Sequence, residues 1–437
     1  MRIQCIKMGI NGEGIGYDVN RKPIFCTGVL PNETAEVTII EDHDTYAKAE
    51  CNRIVTPSPD RVEPEGETEC ECGFPLMAMS YPKQLSCKQQ LLEQSLWKYA
   101  HLKRSLIRDI KASPDTLAYR SECKLPFGEA RRHLAVGLYR PGTNHFAPVS
   151  HFATHTEELE TVREQVMQIL ERRHFSSYDP KTRHGLRTLV LRVIDHQAQC
   201  TLVTGKDTIR PDTLDELMTI EGMKTVAQSI NTEKKNPRLF GSTKVLAGDE
   251  TIEINLSGLK LSLSVESFFQ LNVPQAAALY QMAVDKIDPC DTLVEAYCGI
   301  GTMSLLASKK AKQIIGMESV KDAVKNAKLN AENNGITNVR FIAEDAGQGL
   351  KKILAEQNVD TLLVDPPRSG MDDAMINAIL DSKIKKIVYV SCDPATLGKN
   401  INLLKKHYDV RTVIPFDMFP DTPHVESLTV LERRGGE

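Results

Sequence analysis

The sequence predicts an α/β protein. A C-terminal Rossmann-like, doubly wound sheet follows a small OB-like β-barrel and an α+β central domain. Three observations carry this. From about Asp291, β-branched apolar runs alternate with helical stretches, the pattern of a parallel sheet with crossover helices. Residues 1–57 carry short strand patterns punctuated by Gly9, Gly12, Gly14 and Gly16, as small oligonucleotide-binding-type barrels do. Between them, residues 119–265 are strand-rich around one helix expected over 157–173. The expected domains are 1–57, 58–265 and 266–437.

A chain of 437 residues suggests two or three domains. The start, Met1-Arg2-Ile3-Gln4-Cys5, does not read as a signal peptide, and no apolar run approaches membrane-spanning length. Eleven irregularly spaced cysteines argue for reduced thiols and a cytoplasmic location. A net charge of −4 does not announce a nucleic-acid partner, so any such partner must meet a local basic face.

Strands are expected at 37–40 and 47–55, and the acidic Glu41-Asp42-His43-Asp44 runs against an RNA-binding reading of this unit. Pro57, Pro59 and Pro64 mark a linker. Cys70 and Cys72, with Cys87 further on, raise a metal or iron–sulfur site. The C-x-C spacing with a distant third thiol and no near fourth speaks against it. A helix expected over 84–111 carries Lys98, Lys103, Arg104, Arg108 and Lys111, either as a solvated face or as a phosphate-contacting one. In the central domain, strands are expected at 134–139, 189–193, 251–256 and 259–265. Its obvious cations are Arg131-Arg132-His133, Arg187 and Arg192, which either grip a phosphate backbone or face water. Ser267-Phe268-Phe269-Gln270-Leu271-Asn272 precedes a helix opened by Pro274. It reads as hinge packing or as an aromatic that stacks on a flipped base.

The C-terminal strands end in chemistry. The first runs into Tyr297-Cys298-Gly299-Ile300-Gly301-Thr302, a turn without the third glycine of a dinucleotide fingerprint. The second ends at Glu318, placed to hold ribose hydroxyls, the third at Glu344-Asp345 and the fourth at Asp365-Pro366-Pro367-Arg368. Each residue alone is an ordinary cap or turn; together they form a nucleoside site without a phosphate grip, which suits S-adenosylmethionine better than a dinucleotide. The strand over 386–390 ends in Ser391-Cys392-Asp393-Pro394, with Thr396, Lys399 and Asn400 opening the next helix. Cys392 is either a small buried residue or a nucleophile. Amino methylation needs no thiol, whereas methylation at carbon 5 of a pyrimidine does, because a thiolate must first add to carbon 6.

At these motifs the chain resembles the RNA uracil-5-methyltransferases, the bacterial 23S rRNA enzymes together with the tRNA T-loop enzyme. Ser267 to Asn272, Tyr297 to Gly301, Asp365 to Gly370, Ser391 to Pro394 and Thr422-Pro423-His424-Val425-Glu426 look like the family's motifs in its order. Tyr119-Arg120, Ile230-Asn231 and Asn236 resemble its central domain, and residues 1–57 its TRAM domain. The N-terminal domain favours the rRNA branch, since the bacterial tRNA enzyme lacks it. The resemblance implies a class I methyltransferase fold, Cys392 as nucleophile and Glu426 as the base that removes the carbon-5 proton. It implies Gln270, Tyr297, Glu318 and Asp365 as S-adenosylmethionine ligands, with Thr302 and Asp345 as additions. Phe268 would contact the target base, and Arg368 would support the nucleophile loop. An RNA partner, a monomer and no membrane association are expected.

The chain departs from the family in two places. Members of this architecture carry four cysteines for a [4Fe-4S] cluster, with a C-G-G-C run ahead of the motif matched by Ser80-Tyr81 and Gln84-Leu85. Here that run reads Cys72-Gly73-Phe74-Pro75, and the expected fourth ligand falls on His151-Phe152-Ala153. The expectation is therefore no cluster, with Cys70, Cys72 and Cys87 as a remnant. Position 295 is Glu where Asp is common, which is read as tolerated. The alternatives are the tRNA T-loop reaction, methylation of an exocyclic amine, disfavoured by Arg368 and Cys392, and a catalytically idle RNA-binding factor, disfavoured by the presence of both Cys392 and Glu426.

Overall fold

The computed structural model describes residues 1–233 and 239–435. Asn236, expected in the central domain, lies outside them. The chain divides into two compact units, one formed by Met1–Thr116 with Val364–Glu437, the other by Leu117–Leu363.

In the first unit, residues 1–56 form a six-stranded sheet in the order Arg2–Gln4, Thr34–Asp42, Ala47–Thr56, Pro23–Cys26, Gly14–Tyr17, Lys7–Met8. Period-two alternation puts Ala35 and Val37 inward, where they pack with Ile3, Ile24 and Ala49. Gly14 is required by close approach, since a Cβ there would stand 2.4 Å from the Val29 carbonyl oxygen. The proline-rich stretch is anchored rather than loose: Arg61 donates to both oxygens of buried Glu33, at 2.6 and 2.8 Å.

The helix Tyr81–Ala100 buries Gln84, Lys88, Leu92, Leu96 and Ala100, one residue per turn along a single stripe. It stops where His101 takes a left-handed conformation, φ 53°, so the helix expected over 84–111 is eleven residues too long in its C-terminal part. Residues beyond it bridge instead to the strand Tyr408–Phe416, through Ile107 to Val413 and Lys111 to Phe416. Tertiary pairing there overrides a helix-compatible apolar spacing. The strand Lys386–Ser391 is almost wholly buried and pairs antiparallel with Glu426–Arg433, which pairs antiparallel with Tyr408–Phe416.

The second unit holds a seven-stranded sheet whose central strands, Glu122–Ala130, Leu186–Ile194 and Gln197–Thr204, cover the helix Glu157–Arg172. The strands Glu122–Ala130, Gln197–Thr204, Met223–Ile230 and Ser242–Gly248 were not expected from the sequence; polar residues such as Glu122, Gln199 and Gln228 interrupt their apolar pattern. Arg192 neither grips phosphate nor faces water. It is buried, donates to Glu122 at 2.7 Å and Gln199 at 3.0 Å, and reaches the Ser267 carbonyl oxygen at 2.6 Å. Arg187 lies over the Tyr178 ring and donates to the Asn231 and Glu233 carbonyl oxygens. The hairpin Thr251–Leu256 and Leu259–Ser264 docks on the helix Lys321–Asn333 through Asn330, which accepts from the Ser262 amide at 2.7 Å. Parallel ladders then join Cys290–Ala296 to Ala311–Glu318, and Ala311–Glu318 to Val339–Ala343.

Candidate active site

In the first unit the strand register brings the two expected catalytic groups together. Ser391 pairs with Ser427, the last pair of the ladder. Cys392 follows directly on that last pair, Glu426 opens the strand Glu426–Arg433, and the two are close enough for the Glu426 charge to act on the thiol. Pro394 then ends the extended backbone and opens the helix Pro394–Leu404, capped by Asp393, whose Oδ1 accepts from the Thr396 amide at 2.7 Å.

Their electrostatics are coupled. Burial, then the neighbouring Asp365 carboxylate, pushes Glu426 up from 4.5 to about 8, against the opposing pull of Arg368. Burial alone lifts Asp365 to about 7. The Cys392 thiol rises to about 12, by burial first and then by the charges of Glu426 and Asp365, with Arg368 again opposing. At neutral pH Glu426 and the Cys392 thiol therefore largely hold their protons, while Asp365 titrates there. Because Glu426 binds its proton more tightly folded than unfolded, its stabilising contribution is present below about pH 4.5 and fades as pH rises through about 8.

Arg368 is exposed on a loop fastened to the nucleophile's helix. Asn400 accepts from the Met371 amide at 3.0 Å and from the Tyr389 hydroxyl at 2.8 Å. A Cβ on Gly370, φ 78°, would stand 2.7 Å from Asn400 Oδ1. The Arg368 guanidinium also lies 3.3 Å from His424 Nε2, on the segment leading into Glu426.

That segment is held from the helix Tyr81–Ala100 by two residues one turn apart. Lys88, fully buried, pairs with fully buried Asp417 and donates to the Phe419 carbonyl oxygen at 2.9 Å. Gln84 donates to Asp421 at 2.8 Å and to the Leu76 and Met79 carbonyl oxygens, and its Oε1 accepts from the Asp421 amide at 2.9 Å. Burial pushes the Lys88 ammonium down, and Asp417 holds it up. Sequence reasoning missed this clamp. Its signal was legible, because Gln84 and Lys88 stand in register with the core residues Leu92 and Leu96.

The second unit carries the expected cofactor residues. Tyr297 has φ 65°, which is unusual for a bulky side chain and marks a functional constraint. Gly299 and Gly301 follow at 53° and 85°. Gly301 is forced by packing, since a Cβ would meet Phe341 at 2.5 Å, whereas the space before Gly299 is open. Glu318, at the end of the strand Ala311–Glu318, accepts from the Gly299 amide at 3.2 Å and the Val320 amide at 2.9 Å. An open glycine turn beside a strand-end carboxylate is the arrangement a nucleoside needs. Thr302 is buried at the start of the helix Thr302–Leu306, and exposed Asp345 caps the helix Ala346–Glu356 by accepting from the Gln348 amide at 3.1 Å. Glu295, buried, is occupied by the Ser304 hydroxyl, so this carboxylate serves the fold beneath the turn.

Gln270 is buried in a segment pinned on both sides. The Ser267 carbonyl oxygen takes Arg192, the Ser267 hydroxyl takes Asn326 at 2.6 Å, and Asn272 caps the helix Val273–Asp285. Phe269 is buried while Phe268 is 67 % exposed. A rigid backbone thus presents one aromatic ring to solvent.

The remaining thiols do not suit a four-thiolate cluster. Burial raises Cys70 and Cys87, and Cys87 sits in an apolar group with Met8, Leu30, Leu76 and Met79. At the position of the expected fourth ligand, Phe152 is part of the core. His151, Glu160 and Glu164 approach one another closely, but Glu160 already accepts from Arg163 twice, from the Phe152 amide and against His155. A guanidinium occupies the place a cation would need.

Comparison with known proteins identifies the chain as an S-adenosylmethionine-dependent RNA methyltransferase. Residues 242–434 match the family model for tRNA (uracil-5-)-methyltransferases, and residues 6–51 match the TRAM domain model. An uncharacterized RNA methyltransferase of Lactobacillus johnsonii is 35% identical over 98% of this chain and 95% of its own. Another from Clostridium tetani is 33% identical over 98% and 95%. The crystal structure of Pyrococcus abyssi tRNA (uracil-54, C5)-methyltransferase with S-adenosyl-L-homocysteine shares the fold, with a TM-score of 0.79 and 22% identity over 99% of this chain and all of that one. The chain belongs to the RNA uracil-5-methyltransferase family. Among the described residues, no helix is long and apolar enough to cross a membrane.

Proposed function

We propose that this enzyme methylates carbon 5 of a uridine in 23S rRNA through a covalent adduct between Cys392 and carbon 6. The observation that carries the mechanism is that the ladder ending at Ser391 and Ser427 leaves Cys392 next to buried Glu426, whose charge acts on the thiol. Gln270, Tyr297 and Glu318, with Thr302 and Asp345, are the proposed ligands of S-adenosylmethionine, and Asp365 is assigned to the same cofactor. When bound, that cofactor supplies an electrophilic methyl group on a sulfonium. Phe268 stacks on the target base once it leaves its own stack.

Partly buried Cys392 releases its thiol proton to solvent, Sγ bonds to carbon 6, and the ring electrons move onto carbon 5 and the O4 enolate. Carbon 5, held beside Glu426, would then accept the methyl group that the cofactor supplies. Glu426, as carboxylate, removes the carbon-5 proton, the carbon 5–carbon 6 double bond re-forms, and the Cys392 thiolate leaves. Arg368 offsets the negative charge beside Cys392. The enzyme acts as a monomer in the cytoplasm in this reading.

Glu426 must be ionised to act, and its pKa lies near 8. Turnover limited by elimination should therefore rise roughly tenfold per pH unit below pH 7 and level off above about 8. A flat profile between pH 6 and 9 in single-turnover assays would remove Glu426 from the base role.

The N-terminal barrel supports the rRNA reading. A second reading, tRNA T-loop methylation, is supported by the whole-chain fold shared with the Pyrococcus abyssi tRNA enzyme. Mapping 5-methyluridine in 23S rRNA and in tRNA from a deletion strain decides between them. Loss from 23S rRNA with tRNA unchanged is expected; loss from tRNA alone would favour the second reading.

A further inference from the structure

Arg131 and Arg132 form the two-residue turn between the strands Glu122–Ala130 and His133–Tyr139, with Ala130 paired to His133. Both are left-handed, at φ 51° and 71°. This is the conformation of a type I′ turn, which favours Asn-Gly and costs L side chains with a Cβ. Two other two-residue hairpins in the same unit show how the cost is met elsewhere. Ser257-Gly258 places glycine second. Asp195-His196 uses an aspartate that tolerates the conformation and accepts from the Asn255 amide at 2.7 Å, while His196 pairs with Glu158.

The arginine pair has no such compensation. Both residues are exposed, and among the described residues neither side chain makes a hydrogen bond or ion pair. By contrast Arg163, Arg172, Arg173, Arg192 and Arg210 of the same unit each pair with a carboxylate. Neighbouring His133 is engaged with Glu171 and leaves the two guanidiniums as the free charge of the tip. An unfavourable backbone is thus kept with two fork-shaped donors that no described residue uses. The net charge of −4 adds weight, because a polyanion must find a local basic contact on such a chain.

We propose that this hairpin tip is a phosphate-contacting surface, in which Arg131 and Arg132 grip adjacent phosphates of the RNA backbone. The inference rests on RNA being the substrate and adds where part of it is held. Guanidinium forks match phosphate bidentately, and contacts of this kind position an RNA without reading its sequence.

The test is the full-length double variant Arg131→Asn/Arg132→Gly, compared with Arg131→Lys/Arg132→Lys, using a 23S rRNA transcript and unmodified tRNA. Asn-Gly suits the turn, so its Tm should equal or exceed the wild type's. On whichever RNA the wild type methylates, its affinity at 0.1 M salt should fall on the order of ten- to fiftyfold. The slope of log affinity against log salt should become shallower by about 1.4–1.8, two phosphate contacts' worth. S-adenosylmethionine affinity and the methylation rate at saturating RNA should stay unchanged, and the Lys-Lys variant should keep the wild-type salt slope. Unchanged affinity and slope in the Asn-Gly variant would overturn the proposal. So would a Lys-Lys variant as weak as Asn-Gly, or a fall in Tm accompanied by loss of S-adenosylmethionine binding. Loss of poly-glutamate binding with RNA binding intact would assign the tip to an acidic protein partner and overturn it as well. The choice of methylated RNA is read from the wild type, so failure of the rRNA reading shows separately.

Discussion

Glu426→Gln should accumulate a methylated protein–RNA species that survives denaturing gels, approaching one per active site, while Cys392→Ala should form none. The two variants interrupt different steps. Without the thiol, carbon 5 is never made nucleophilic, and both adduct and methyl transfer disappear. With glutamine at 426, addition and methyl transfer proceed, but no carboxylate removes the carbon-5 proton. Elimination should slow by about 10²–10⁴, the usual worth of a positioned general base. Glutamine also removes a carboxyl that burial and Asp365 disfavour as an anion, so this variant should be at least as stable as wild type above pH 8. Labelled methyl groups on gel-shifted protein are the readout. Wild-type turnover by Glu426→Gln would exclude it as the base. Absence of adduct despite intact RNA and cofactor binding would place its role before methyl transfer.

The second large effect is expected far from the reacting atoms. Lys88→Met should cost about 3–5 kcal/mol, because it removes the cation paired with the Asp417 carboxylate in the interior, where both side chains are fully buried. Lys88→Met/Asp417→Leu should recover most of that loss, since removing both charges leaves neither partner of the pair buried as an uncompensated ion. The comparison is made by denaturant unfolding of both variants and of Asp417→Leu, as a double-mutant cycle. A Lys88→Met cost under about 1 kcal/mol would show that the pair does not anchor the segment from Phe416 to Glu426. The recovered double variant should still eliminate slowly, because it lacks the Lys88 contact to the Phe419 carbonyl oxygen.

The sequence by itself determined the fold class and the class of enzyme. Alternating strand and helix periods, the glycine turn at Tyr297 to Gly301 and the carboxylates at strand ends are local patterns, written in consecutive residues. Cys392 after a buried strand and before Asp393-Pro394 is equally local. The motifs then placed the chain in its family, and the whole-chain match agrees. What lay outside local text was read less well. The helix expected to reach 111 ends at Ala100, because residues 107–111 have a strand edge to pair with that spacing cannot reveal. Five strands of the central sheet were missed, among them those whose polar residues are satisfied by partners distant in sequence, as Glu122 is by Arg192.

Only the tertiary structure decided that Arg192 is a buried tie rather than a surface cation, and that Arg131 and Arg132 find no carboxylate among the described residues. It also decided the protonation chemistry. Nothing in the residue types sets Glu426 near pH 8; its burial and the approach of Asp365, from a different strand end, do. The reason is general. Periodicity and capping act over a few residues and survive in the sequence, whereas desolvation and charge pairing depend on which distant segments exclude water together, and that is fixed only when the chain packs.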